Sequence, residues 1–167
     1  GGTSYEQIAW TVTELDVDGH PIKVIRSNGT ISESTWGCCG KESETDTSGI
    51  LRTYNSDELK RVEFSTKVAA DPITSSYSYD AMGRVLTNTV NAGGLVQTTI
   101  TMYDLAGRVT NQIDAAGLAT RTSYADSGRI VTVVGPGEAT NITETYIDGR
   151  TKSITGNAVI PQYYDYG

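Results

Sequence analysis

The sequence predicts an all-β chain, an elongated antiparallel sheet of stacked β-hairpin repeats. Three observations carry this. First, Tyr79-Asp80-Ala81-Met82-Gly83-Arg84-Val85 returns 24 residues later as Tyr103-Asp104-Leu105-Ala106-Gly107-Arg108-Val109, and a fixed period of this order marks a repeat architecture. Second, Asn91-Ala92-Gly93-Gly94, Asp114-Ala115-Ala116-Gly117 and Gly135-Pro136-Gly137-Glu138 fall midway between the tyrosine-bearing copies. In an Asp-x-x-Gly segment the carboxylate accepts from nearby backbone amides while the glycine supplies the positive φ of a type I turn with a bulge. Third, the intervening stretches are rich in Thr, Val, Ile and Tyr, and none keeps a helical apolar spacing.

Taken in order, residues 1–45 read as irregular N-terminal hairpins. Asp16-Val17-Asp18-Gly19 and Asn28-Gly29 mark turns without a tyrosine–aspartate partner. Residues 46–167 read as one continuous array of tyrosine–aspartate hairpins, so the chain is six or seven repeat units without an internal boundary. Upstream of the two best copies, Tyr54-Asn55 leads to Arg61-Val62. Downstream lie Tyr124-Ala125-Asp126-Ser127-Gly128-Arg129-Ile130, then Tyr146-Ile147-Asp148-Gly149-Arg150, then a start at Tyr164-Asp165. The period wanders over roughly 18 to 25 residues, as expected when loops vary and strands persist.

Leu95–Tyr103 and Leu118–Tyr124 are the clearest strands. In the second, Leu118, Thr120, Thr122 and Tyr124 share one face while Ala119, Arg121 and Ser123 share the other. Even the more apolar face is half threonine. One Phe and two Trp give little material for a two-layer core, whereas ten Tyr provide rings whose hydroxyls tolerate water. A thin sheet held by cross-strand pairs follows.

A net charge of −7 and a pI near 4.6 argue against nucleic acid, whose phosphates demand a basic surface. They also make anionic membrane a poor partner, and no apolar run reaches transmembrane length. The chain opens on Gly1-Gly2 and closes inside a repeat, which suggests a piece of a longer protein.

Cys38 and Cys39 are the only cysteines, adjacent in Gly37-Cys38-Cys39-Gly40. They read either as small residues in a glycine turn or as a vicinal disulfide; one histidine and no further cysteine leave no metal-ligand set. His20 has no nucleophile and orienting carboxylate argued for it, so it reads as structural or exposed. Asp16-Val17-Asp18-Gly19 lacks the later ligands of a calcium loop and reads as a hairpin turn. Glu42, Glu44 and Asp46 alternate with Ser43 and Thr45, which suits a solvated edge strand. Asn28-Gly29-Thr30 and Asn141-Ile142-Thr143 match glycosylation acceptors. The sequence offers no catalytic residue, no cofactor site and no metal site.

What repeats instead is Tyr79, Asp80, Gly83 and Arg84; Tyr103, Asp104, Gly107 and Arg108; Tyr124, Asp126, Gly128 and Arg129; Tyr146, Asp148, Gly149 and Arg150. Recurrence at one phase points to a structural column. The tyrosine ends a strand, the aspartate caps the turn, and the guanidinium lies over the preceding ring or pairs with a neighbouring turn's aspartate.

These words, Tyr-Asp-x-x-Gly-Arg-Val with Asp-x-x-Gly-x-x-Thr-x-x-x-Tyr between them, resemble the YD-repeat or Rhs-repeat family. Residues 79–85, 103–109 and 114–124 quote it best. The family includes bacterial Rhs polymorphic toxins, shell-forming components of insecticidal toxin complexes, and teneurins. The resemblance implies a sheet that spirals into a shell wall, on an extracellular or cell-surface bacterial protein. It implies neighbouring repeats of a longer chain, or identical subunits, as partners. Asp71-Pro72 is followed by Ile73-Thr74, which departs from the family's self-cleavage segment, so no protease role comes with it.

The reading is therefore a non-enzymatic structural repeat scaffold, part of a shell or stalk. A filament subunit is the first alternative, with Tyr163–Gly167 pairing with Ser4–Val12 of the next copy. A glycan- or protein-binding surface carried by Trp10 and Trp36 is the second.

Overall fold

The computed structural model describes residues 9–167. Fifteen strands follow one another in the sheet in the order they occupy in sequence. They are β1 (Thr11–Leu15), β2 (Pro21–Arg26), β3 (Ile31–Gly37), β4 (Gly40–Thr45), β5 (Leu51–Ser56), β6 (Val62–Lys67), β7 (Ile73–Tyr79) and β8 (Val85–Ala92). After them come β9 (Leu95–Tyr103), β10 (Val109–Ile113), β11 (Ala119–Ala125), β12 (Ile130–Val134), β13 (Thr140–Thr145), β14 (Thr151–Thr155) and β15 (Gln162–Tyr163). Single 3₁₀ turns at Asp126–Gly128 and Pro136–Glu138 are the only helical residues among those described. The all-β fold class of the sequence holds.

The chain divides into two compact units. One runs through Ser78 and includes Thr89–Val96; the other comprises Tyr79–Asn88 and Gln97–Gly167. In the first, β1 to β7 pair antiparallel, and an extra residue slips the register at Glu14/Leu15 and Asn55/Ser56, immediately before the turns at 16–20 and 57–61. In the second, β9 to β15 pair the same way, with a matching slip at Glu144/Thr145 before the turn at 146–150. Such bulges sharpen twist and re-aim the strand end.

Among the described residues no apolar side chain is buried, and Ser153 is the single buried residue. Within each unit the sheet is one layer thick. Its larger side chains are half-covered by cross-strand neighbours, as β11 illustrates: Thr120, Thr122 and Tyr124 are half-buried while Arg121 and Ser123 are exposed. No described helix is long and apolar enough to cross a membrane.

Two turns differ from their sequence reading. Asn91 and Ala92 belong to β8, and the turn is the pair Gly93-Gly94 with φ of 57° and 86°, because two consecutive positive φ values give the tight hairpin whose twist matches its strands. Gly135–Glu138 becomes a 3₁₀ turn rather than an Asp-x-x-Gly turn, since proline occupies its second position. The acidic stretch 42–46 is not an edge. β4 lies between β3 and β5, and Glu44 accepts from Lys41 Nζ and Tyr54 Oη, each at 2.8 Å.

Candidate functional site: aspartate turns and hairpin clasps

The turn at 80–84 displays the unit of construction. Asp80 N donates to Arg84 O and Gly83 N donates to Asp80 O, both at 3.0 Å, closing a type I turn with Gly83 at φ 80°. Asp80 Oδ1 accepts from the amides of Met82 and Arg84 at 2.9 Å. Asp80 Oδ2 accepts from Arg84 Nε at 2.6 Å. These donors, with the Arg84 backbone amide foremost, hold the Asp80 carboxyl below its ordinary value. One carboxylate thus fixes both the turn and the direction in which the guanidinium leaves it.

Where that guanidinium goes depends on strand order. Arg84 precedes β8, and the neighbouring strand β9 ends at Tyr103. The guanidinium carbon stands 4.6 Å from the centre of the Tyr103 ring, and Nη1 donates to Asp104 O at 3.3 Å. Tyr103 Oη returns a hydrogen bond to Val85 O at 3.2 Å. Cation, ring and hydroxyl therefore clasp adjoining strand ends. The next turn repeats the scheme. Arg108 Nε donates to Asp104 Oδ2 at 2.7 Å, Arg108 lies 4.2 Å from the Tyr124 ring, and Tyr124 Oη donates to Val109 O at 3.0 Å. Asp104 is likewise lowered, chiefly by the Arg108 amide.

The sequence reading placed each arginine on the preceding tyrosine or on a neighbouring turn's aspartate. The structure puts Arg84 and Arg108 on the aspartate of their own turn and the tyrosine that follows. The physical reason is antiparallel order: an arginine that opens one strand lies beside the end of the next.

The later copies part from this scheme. Ala125 stands where the motif has its aspartate, and Asp126 comes one position late. Asp126 and Ser127 take positive φ of 49° and 57°, and Asp126 caps no amide; Arg129 pairs with its carboxylate alone. Asp80 and Asp104 share one local geometry, and Asp126 does not. The strand beside Arg129 ends at Thr145, not tyrosine, so among the described residues no ring lies under Arg129. At 146–150 Tyr146 itself holds the leading turn position, donating from N to Arg150 O at 2.8 Å. Asp148 pairs with Arg150 at 2.7 Å, and Arg150 stands 4.5 Å from the Tyr166 ring. A cleft of about 460 Å³ lies here, bordered by Arg129, Thr145, Tyr146 and Tyr166.

Sequence reasoning missed two members. Asn55 lies in β5 opposite Phe64; the capping residue of that turn is Asp57. Its Oδ1 accepts from Leu59 N and Arg61 N at 2.9 Å, and its Oδ2 accepts from Arg61 Nε at 2.7 Å. Lys60 holds the glycine position at φ 63°. The second is the turn at 16–20. Asp16 Oδ1 accepts from Asp18 N and His20 N, and Oδ2 contacts His20 Nδ1 at 3.0 Å. The His20 ring stacks on Trp36 at 4.7 Å, and Trp36 Nε1 donates to Pro21 O at 3.0 Å. In its aspartate contact, stacked ring and returned hydrogen bond this repeats the clasp of Arg84, Val85 and Tyr103, with imidazole for guanidinium and indole for phenol. The signal in the sequence was an aspartate four residues before a planar N–H donor, Asp16 before His20 and Asp57 before Arg61, whatever the preceding residue.

The RHS Repeat family matches residues 103–140, which begin at the Tyr103 clasp and run past the Arg129 turn. Residues 103–140 are an RHS repeat. No curated protein sequence matches the chain. The crystal structure of TcdB2-TccC3 without its hypervariable C-terminal region superposes with a TM-score of 0.72 at 16% identity over 94% of this chain. TcdB2-TccC3-TEV gives 0.68 at 14%, and the Tc holotoxin pore of Photorhabdus luminescens gives 0.53 at 12%, each over 94% of this chain. The segment spans about a tenth of the length of the structures it matches, 9% of the first and 10% of the others. At these identities the likeness concerns fold. Repeat and fold together make the segment a structural repeat scaffold.

Within the repeat segment the remaining candidates sort by contact. Trp36 is engaged between His20 and Lys41, whose Nζ stands 5.3 Å from its ring, whereas Trp10 is half exposed. Asn28 Oδ1 accepts from Thr30 N at 3.1 Å and shapes its own turn. Cys38 and Cys39 stand as free thiols with sulfurs 2.8 Å apart at the tip of the β3–β4 hairpin. Of the proposed filament contact, Ser4–Ile8 lie outside the described residues.

Proposed function

We propose that this segment is a non-enzymatic length of wall or stalk from a protein that bacteria export to or beyond their surface. The observation that carries the reading is the recurrence of one clasp in a sheet with no buried apolar residue among those described. The acidic and basic side chains at the repeat positions are spent on one another: Asp57 on Arg61, Asp80 on Arg84, Asp104 on Arg108, Asp148 on Arg150. Charges paired in this way shape the sheet, which supports a structural role for these positions. The fold likeness to components of a Tc toxin supports a parent chain in a multi-subunit assembly, with neighbouring repeats as the immediate partners. Within the segment, we read the described part of residues 1–45 as the variant hairpins and residues 46–167 as the tyrosine–aspartate array.

Electron microscopy of the full-length protein tests this. The expected result is density for the segment continuous with adjacent repeats in a shell or stalk. A freely tumbling domain tethered to the rest would overturn it.

One observation favours self-assembly through an open edge as a second reading. β15 pairs with β14 at only Ser153–Tyr163 and Ile154–Gln162, leaving Tyr163 76% exposed. Sedimentation velocity decides: oligomers that grow with concentration support end-on pairing, and a monomer at all concentrations removes it.

A further inference from the structure

We propose that Cys38 and Cys39 form a reversible dithiol–disulfide site, closed on oxidation by a small disulfide of the glutathione class.

The β3–β4 hairpin is built to hold the two sulfurs together. Gly37 pairs with Gly40 across the tip, leaving the cysteines as its two loop residues. Gly40 has φ 130°, which disfavours a side chain there, whereas a Cβ on Gly37 would meet only the movable end of the exposed Glu42 side chain. In this turn the sulfurs lie 2.8 Å apart. Both are reachable: Cys38 is exposed and Cys39 partly so. Shallow clefts of about 240 and 270 Å³ meet at Cys39, the second bordered by Lys60.

The two thiols differ in kind. The hydrogen bond with Cys38, reinforced by partial burial, pushes the Cys39 thiol up. Cys38, the more exposed of the two, is the entering nucleophile. Its thiolate attacks one sulfur of the small disulfide, forming a mixed disulfide and expelling one thiolate. Cys39 then gives its proton to solvent and attacks the Cys38 sulfur, forming the Cys38–Cys39 bond and expelling the second thiolate. The cysteine pair loses two electrons and two protons; the small disulfide gains both as two thiols.

Treating the protein with oxidised glutathione and measuring intact mass tests this. Wild type is expected to lose two hydrogens, resist later alkylation, and carry no glutathione. Cys39→Ser is expected to stop at the mixed disulfide on Cys38. Wild type that keeps a glutathione adduct, links to a second chain, or remains alkylatable at both thiols would overturn the proposal. So would closure as fast in guanidinium chloride as in the folded protein, because the turn would then contribute nothing.

Discussion

The hairpins β10–β11 and β12–β13 follow one another in the same unit, yet only the first is clasped. In β10–β11, Arg108 leaves a turn fixed by Asp104 and lies over Tyr124, which bonds back to Val109. In β12–β13, Arg129 leaves a turn that Asp126 does not cap, and meets Thr145. Thr145 supplies hydrogen bonds but no ring, its N and Oγ1 both donating to Arg129 O, at 2.9 and 3.3 Å. Arginine is present in both. The clasp therefore depends on two other residues, the aspartate that aims the guanidinium and the ring that receives it. Where both fail, a cleft takes their place.

The largest effect is expected from crowding the clasp. Gly107 has φ 84°, and a Cβ there would lie 3.4 Å from Arg84 Nη1. Gly107→Val combines left-handed backbone with that contact and is expected to cost about 2 kcal/mol in chemical denaturation. A loss below a few tenths would show that the turn is free to rearrange. Next comes the ring. Tyr124→Ala removes the cation–π contact and a hydrogen bond, a loss of about 1.5 to 2 kcal/mol, whereas Thr145→Ala stays within about 0.5. Equal losses would erase the distinction between the hairpins.

Acid sharpens the same contrast. Asp57, Asp80 and Asp104 are held below the ordinary 3.8, Asp57 chiefly by the Arg61 side chain and the others by backbone amides. Below that value the unfolded chain takes up protons before the folded one. Their contribution is therefore present above it and lost as pH falls through the lowered folded values. Denaturation midpoints should drop across that interval, and Asp104→Asn should flatten the drop; an unchanged acid limb would count against the capping role. At the alkaline end, burial and then Glu44 push Tyr54 up from 10.0 to about 12, so its contribution is complete below 10.0 and lost by about 12. The smallest effect is a gain. Lys60→Gly relieves a side chain at φ 63° and is expected to stabilise by about 0.5 to 1 kcal/mol; a destabilised variant would mean that the lysine side chain matters to the turn.

The strands and the aspartate turns were legible because both are local. Period-two alternation and Asp-x-x-Gly act within a few residues, and Leu95–Tyr103 is a strand from end to end. Partners were less legible, because they depend on which strand ends meet. Arg84 reaches the tyrosine after it, not before it, and nothing within one repeat states that. Asp57 was hidden by the search for a tyrosine in front of it, though Ser56 serves at that position. His20 and Trp36 were read separately since neither resembles its counterpart, yet each keeps the property the clasp uses, a planar donor group and a large flat ring with a polar tip. The shifted Asp126 shows the opposite error, in which letters matched and geometry did not.

The central claim is that arginine and the following tyrosine hold adjoining strands together as a pair. A double-mutant cycle on Arg108 and Tyr124, with Arg129 and Thr145 as the comparison, measures that directly. The account predicts a coupling of about 0.5 to 1 kcal/mol or more for the first pair and none for the second. Additive losses at Arg108 and Tyr124 would contradict it.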